Sequence, residues 1–431
     1  MGHVFDSQFH AMQDAFARQG TYIEVAYTPS GRVDYVYETG RLLARDSKVA
    51  EDVARILPGT ELAREQPDRL ALRVLSIDNL RRGHLTVPQA LDILDRELNQ
   101  PVAKGPGAPE KPAKTEERDV EYPDVSAVHI MHFTNGVQPD TVRHCPATEP
   151  EVPCCCAPDE PCGPCPPVAP DGGAGVVIGV CDTGLLASTA SASWLGGVTG
   201  EVDPLGPLLA NGLHDIPRYC GHGTFIAGVA RCEAPESTVY VANDYINGGL
   251  QEWKVVQQLQ ALIANQGAQV VNLSAGSYSR NDWPLLSFSA FEYGGVTLVC
   301  AAGNDATYRR FWPAAFHWAV AVGALGADQR NRAWFSNYGD WVDVYTLGEG
   351  LVNAFATGEY TYKEPPKRPA TQVFDGRARW SGTSFAAPLA AGLIAAEMSQ
   401  AGLTASDATR AVLARAQSQA IPGVGPVLYP R

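Results

Sequence analysis

Two periodicities divide this chain. Near its start, TYIEVAY and RVDYVYE alternate apolar and polar residues on either side of the turn-forming TPSG, which predicts a β-hairpin. Apolar residues then recur at helical spacing in KVAEDVARIL, a strand follows in LALRVLSI, and a second helix in TVPQALDILDREL. Residues 1–100 therefore read as a small α+β domain, completed by one more strand in SAVHIMHF, 126–133. From Gly175 onward the texture changes to short apolar runs alternating with helical patterns. VVIGVCDTG, STVYVAN, AQVVNLSAGS and VTLVCAAGN read as buried strands; GHGTFIAGVA and WKVVQQLQALIANQ read as helices. Buried strands alternating with helices predict an α/β fold, a doubly wound parallel sheet, over residues 175–431. Ligands of such sheets sit beyond the carboxyl ends of the strands.

Between these units the hydrophobic pattern is interrupted twice. Residues 101–124, PVAKGPGAPEKPAKTEERDVEYPD, are rich in proline and charge and poor in large apolar side chains, the composition of a linker. Residues 134–174 form a second linker, rich in proline and cysteine. Of the 10 cysteines, Cys181, Cys220, Cys232 and Cys300 lie scattered in apolar surroundings and read as buried thiols of a reduced compartment; the others fall between Cys145 and Cys165. The latter include a C-x-x-C pair, Cys162 and Cys165, with His144 nearby, but lack the second pair of a common zinc module. That segment reads as a redox-sensitive or flexible linker. His317 reads as packed among apolar neighbours in FWPAAFHWAVAVGA, and His214 as a loop residue; neither has partners at metal-ligand spacing.

Charge and composition narrow the partners. The 431 residues are 45% hydrophobic and 19% charged, enough to bury one large domain and a smaller one. A formal charge of −14 argues against nucleic acid and against an anionic membrane surface. The N-terminus mixes Asp, Gln and His into its apolar residues without the uninterrupted run of a signal peptide, which points to the cytoplasm, with secretion by another route left open.

Polar residues stand where the apolar runs of the second unit turn. Asp182 ends VVIGVC, His222 lies between glycines at a helix start, and Ser384 opens the helix of WSGTSFAAPLAAG, 380–392. A serine hydroxyl becomes a useful nucleophile when a neighbouring base takes its proton, and a histidine base gains from a carboxylate that fixes its tautomer and stabilises its cation. This assigns Ser384 as nucleophile, His222 as base and Asp182 as orienting carboxylate. The helix start at Ser384 adds N–H groups and a positive dipole end facing a developing oxyanion. Taken singly, each residue has a plainer reading as a cap, a loop histidine or a turn carboxylate; their joint occurrence favours the chemistry.

DTG at 182–184, GHGT at 221–224 and GTSFAAP at 382–388, in that order, resemble the subtilisin-like serine proteases, family S8, over about residues 175–420. The resemblance implies a serine endopeptidase that cleaves peptide or protein substrates through an acyl-enzyme, with no cofactor in the chemistry. It further implies that VNLSAGS places Ser274, Ala275 and Gly276 along one wall of the main specificity pocket. AAGN would place Ala301, Ala302 and Gly303 along the opposite wall, with Asn304 as oxyanion donor. The small Ala275 suggests room for a sizeable side chain. FSNYG, 335–339, resembles a structural turn of the family. The chain departs from the family at Phe225, where a second histidine is common, at VYTLGEG, which replaces a Pro-Gly turn, and after GHGTFIAGVA, where a loop that often helps bind calcium is short. No metal is assigned to the site; calcium and zinc remain open as structural ions. The alternative function is a catalytically silent peptide-binding or scaffold protein of the same fold. By position and pattern, residues 1–133 match the propeptides that inhibit many such proteases from within the chain; a permanent recruiting domain is the competing reading.

Overall fold

The computed structural model describes residues 3–68, 70–81, 85–98, 121–133, 149–153, 169–187, 192–291, 294–364 and 367–430. The linker 101–124, all but its last few residues, and the cysteine segment 145–165, all but residues 149–153, lie outside them.

Eight strands form a parallel sheet in the second unit. They are β6 (Val177–Asp182), β7 (Val198–Gly200), β8 (Thr238–Asn243), β10 (Val270–Leu273), β11 (Thr297–Ala301), β12 (Val320–Leu325), β13 (Val344–Leu347) and β16 (Val427–Leu428), in the order β16-β13-β12-β11-β10-β6-β8-β7. Successive side chains of a strand face opposite sides, and both sides here are dry. Ile178, Val180, Val299, Val322 and Ala324 enter one core with α5 (His222–Glu233), α7 (Thr383–Ala401) and α8 (Ala405–Ser418). Cys181, Val271, Leu273, Leu298, Cys300 and Ala321 enter the other, where α6 (Glu252–Gln266) contributes Val255, Val256, Leu259 and Leu262. Burial on both faces is why these strands read as continuous apolar runs, and the α/β class expected from the sequence is the one found. The scattered Cys181, Cys220, Cys232 and Cys300 are buried. His317 is a correction: Phe316 beside it is buried in the core, whereas His317 itself is exposed.

The N-terminal residues build a second, antiparallel sheet. It contains β1 (Ile23–Tyr27), β2 (Val33–Ala44), β3 (Glu61–Leu62), β4 (Arg73–Ser76) and β5 (Val125–His132). One core packs α2 (Ser47–Ile56) and α4 (Val87–Glu97) against it through Val53, Leu91 and Leu94. Asp46 caps α2 by accepting from Val49 N at 2.9 Å, and Thr86 with Gln89 forms a reciprocal capping box on α4. The helix α1 (His3–Arg18) sets Met12 and Phe16 against Ile23, Val36 and Ile130. The short α3 (Asp78–Arg81) links β4 to the segment before α4.

The two units share a strand ladder. β5 pairs antiparallel with β2 on one edge and with β9 (Gly249–Gln251), a strand of the second unit, on the other. Its side chains enter the cores on both faces, Val125 and Ala127 in one, Ile130 in another and Val128 and Met131 in a third, and every residue of β5 is buried. A long hairpin, β14 (Leu351–Thr361) and β15 (Thr371–Trp380), runs from the end of β13 to the start of α7 and receives residue Glu151 as an antiparallel bridge to Arg379. Among the described residues, no helix is long and apolar enough to cross a membrane.

Candidate active site

β6 carries Asp182 at its carboxyl end, α5 begins with His222, and α7 begins with Thr383 and Ser384. His222 Nδ1 lies 2.7 Å from Asp182 Oδ1, and both residues are buried. Asp182 Oδ1 also accepts from Thr183 N at 2.9 Å. The imidazole is packed by rings: Phe385, the residue after Ser384, at 5.2 Å between centroids, Trp380 at 5.4 Å, and Phe133 at 4.4 Å. Such a wall leaves the Nδ1–carboxylate contact little room to reorient. Close approach of α5 to β6 depends on Gly223, where a Cβ would stand 2.7 Å from Gly184 O.

A buried carboxylate that the sequence reading passed over ties these turns together. Asp203 Oδ2 accepts from Gly221 N at 2.7 Å and from Thr183 Oγ1 at 3.0 Å, and Thr183 Oγ1 accepts from Gly223 N at 3.0 Å. Asp203 thus braces the residues flanking Asp182 and His222 at once. Burial pushes its carboxyl up to about 6, against the pull of the Gly221 and Thr183 hydrogen bonds. Its only trace in the sequence is an Asp in a loop, which carries no signal.

Ser384 is 5% exposed, and its hydroxyl donates to the Ser274 carbonyl at 3.4 Å. Proline explains the complementary contact. Pro388 has no N–H to give to the carbonyl four residues back, so Ser384 O is left for the Ser274 hydroxyl, which donates to it at 2.9 Å. Asn272 Nδ2 in turn donates to Ser274 Oγ at 2.9 Å. The strand end at 272–274 is thereby pinned to the first turn of α7.

The opposite strand end is pinned to the same turn. Asn304 Oδ1 accepts from Thr383 N at 2.8 Å and from Thr383 Oγ1 at 2.9 Å, and Gly303 N donates to Thr383 Oγ1 at 3.1 Å. Asn304 Nδ2 lies 3.7 Å from where a Cβ on Gly382 would stand. The residues singled out along the two strand ends, Ser274, Ala275 and Gly276 on one and Ala301, Ala302, Gly303 and Asn304 on the other, flank the start of α7 and are all buried or nearly so. Among the described residues, no three His, Cys, Asp or Glu side chains converge as a metal site.

A strand of the N-terminal unit lies in a cleft between Gly276 and residues 248–251. His132 N donates to Gly276 O at 2.8 Å, Gly276 N donates to His132 O at 3.2 Å, and Phe133 N donates to Gly248 O at 3.2 Å. The end of β5 is therefore the middle strand of an antiparallel trio, with 248–251 on one side and Gly276 on the other. Gln8 Nε2, from α1, donates to Phe133 O at 2.5 Å.

The subtilase family model, peptidase S8, matches residues 173–424. This chain belongs to the subtilase family. Among curated relatives, the subtilase is 32% identical over 190 residues to the thermophilic serine proteinase of Bacillus sp. (strain AK1), covering 42% of this chain and 43% of that one. It is 29% identical over 202 residues to thermitase of Thermoactinomyces vulgaris, covering 44% of this chain and 66% of that one. The alignments thus span from under half to about two thirds of these relatives' own length. Fervidolysin of Fervidobacterium pennivorans, described as a keratinolytic enzyme related to subtilisin, shares the fold at a TM-score of 0.55 and 17% identity, over 91% of this chain and 60% of that one.

Proposed function

We propose that this subtilase is a serine endopeptidase in which Ser384 attacks the peptide carbonyl, His222 takes and returns the proton, and Asp182 holds the imidazole. The 2.7 Å contact between His222 Nδ1 and Asp182 Oδ1, made beside the first turn of α7, carries the reading. With Nδ1–H given to the carboxylate, Nε2 is the basic nitrogen, which is what proton transfer from a serine requires. Asn304 Nδ2 and the N–H groups at the start of α7 would receive the oxyanion, where charge is greatest in the transition state. The products are two peptides, the amine leaving first and water releasing the acyl group. Backbone pairing along 248–250 and at Gly276 would hold an extended substrate on both sides, as strand addition does in other peptide-binding sites.

The occupant of that cleft in this structure is the chain's own β5 end. This supports residues 1–133 as an intramolecular inhibitor over a recruiting domain, since a strand seated there excludes any other peptide.

Labelling by a serine-directed fluorophosphonate, with peptide hydrolysis followed alongside, tests the catalytic reading. Wild-type protein should label and hydrolyse, and Ser384→Ala should do neither while keeping its circular dichroism and melting temperature. Hydrolysis by purified Ser384→Ala protein at the wild-type rate would overturn the assignment, and a chain inert to both assays even when Phe133→Ala has loosened β5 from the cleft would favour a silent scaffold.

A further inference from the structure

Ser274–Gly276 and Ala301–Gly303 follow two neighbouring parallel strands, β10 and β11, and are the segments that the family resemblance assigns to the walls of the main specificity pocket. The space beside both is filled. A Cβ built on Gly276 would overlap Phe311 Cε1 and stand 2.8 Å from Phe311 Cδ1; one built on Gly303 would stand 3.2 Å from the same Cδ1. A single ring therefore borders both walls. It is 1% exposed.

Neighbouring groups fix the ring in place. Tyr278 meets it edge-on at 5.1 Å between centroids, and the Tyr278 hydroxyl donates to Asp305 Oδ2 at 2.7 Å while accepting from Asn337 Nδ2 at 3.1 Å. Asn337 is itself anchored, donating to Ala302 O at 2.8 Å and accepting from Asp305 N at 3.0 Å. The backbone beside the ring is held too, because Trp312 exchanges hydrogen bonds of 2.9 and 3.0 Å with Ser277. For Phe311 to swing aside, this ladder or the Tyr278 contact would have to break.

We propose that Phe311 plugs the main specificity pocket and restricts the residue preceding the scissile bond to small side chains: glycine, alanine, serine or threonine. The proposal rests on the proteolytic reading above and names the substrate class of the same site. It also corrects the expectation of a roomy pocket, which weighed Ala275 on one wall and had no means of seeing what reaches across from residue 311. A methyl or hydroxymethyl group can lie against the ring face, whereas a benzyl or isobutyl group would need the volume that Phe311 holds in a close-packed interior. In sequence, the residues that follow the docked Phe133 are Thr134, Asn135 and Gly136, none of them bulky.

Peptides identical except for Ala, Thr, Leu or Phe before the scissile bond test this, with kcat/KM measured on the full chain and competent sites counted by fluorophosphonate. Wild type should prefer Ala and Thr to Phe by at least ~10-fold, and Phe311→Gly should raise kcat/KM for the Phe peptide at least ~10-fold while the Ala peptide gains far less. Phe311→Leu should fall between them, which guards against a Gly variant that fails to fold. Equal use of Ala and Phe peptides by wild type, or an unchanged preference in Phe311 variants that still label, would overturn the plug. A chain that neither labels nor cleaves any peptide, even when Phe133→Ala has loosened β5 from the cleft, would instead overturn the proteolytic reading, and the plug with it.

Discussion

The Phe133 ring lies 4.4 Å from the His222 imidazole, tilted by 36°. It also stacks on Tyr245 at 5.0 Å and meets Tyr219 edge-on at 5.3 Å, so the last described residue of the N-terminal unit is wedged among groups of the catalytic one. Aromatic contacts of this kind add to the apolar area they bury. Phe133→Ala should therefore loosen β5 in the cleft. A buried Phe→Ala change costs ~3–5 kcal/mol in a core, and even ~1.4 kcal/mol of that acting on docking shifts its equilibrium about tenfold. Fluorophosphonate should label the full-length Phe133→Ala chain at least ~10 times faster than wild type by that arithmetic. An unchanged labelling rate would mean that β5 does not gate the site.

Farther along β5, a second contact holds it at a buried carboxylate. Glu252 Oε1 accepts from His129 N at 3.0 Å and lies 2.8 Å from His129 Nδ1; Glu252 Oε2 accepts from Ser287 N at 3.1 Å and Ser287 Oγ at 2.6 Å. Glu252 is fully buried and opens α6, so its charge also meets the positive end of that helix. Removing it strands several polar groups, each costing ~1–3 kcal/mol. Glu252→Ala should lower the melting temperature of the whole protein, whereas His129→Ala, which keeps the backbone bond, should mainly speed labelling of the full chain. If His129→Ala changed neither labelling nor melting, the contact would contribute nothing to docking.

How much of this was legible in the sequence follows from how local each signal is. Four of the eight strands of the parallel sheet, β6, β8, β10 and β11, declare themselves by apolar runs, and Asp182, His222 and Ser384 by short motifs at element ends. Phe311 and Asp203 do not, because what they do depends on contacts that only the fold brings about: Gly276 and Gly303 for the one, Thr183 and Gly221 for the other. The helix His3–Arg18 escaped for a different reason. Its buried face includes Gln8, which is polar because it donates to Phe133 O, and a buried polar residue blurs the apolar stripe that marks a surface helix. β5 was recognisable as a strand, yet its pairing with Gly249–Gln251 and with Gly276 was not, since register across units leaves no mark in either segment.

Asn304→Ala should separate binding from chemistry. The Asn304 carbonyl oxygen accepts from Thr383 N and Oγ1, and in the proposed mechanism the amide nitrogen donates to charge present mainly in the transition state. The change should lower kcat by ~10²–10³, the usual loss for one oxyanion donor, with KM little altered. Because Thr383 N and Oγ1 also lose their acceptor, the melting temperature should be recorded beside the kinetics. A loss confined to KM would assign Asn304 to ground-state binding.

Asp203 should leave a signature in the pH dependence of stability. Its carboxyl is raised by burial to about 6 from an ordinary 3.8, so between those values the folded protein holds a proton that the unfolded chain has released. Stability then falls as pH rises through that window and levels off above it, by ~2–3 kcal/mol for a shift of that size. Asparagine at this position cannot ionise but keeps a carbonyl oxygen for Gly221 N and Thr183 Oγ1. Relative to its parent, Asp203→Asn should therefore gain stability from pH 4 to pH 6 and hold the gain at pH 7 and 8. Asp305, also raised to about 6 by burial, slopes the same way but is present in both proteins and cancels in the difference. Melting curves should be taken in a Ser384→Ala background so that self-digestion does not intrude. A difference between the two proteins that stays constant from pH 4 to pH 8 would show that Asp203 has the same affinity for its proton folded and unfolded, and that its brace on Gly221 and Thr183 carries no cost of burial.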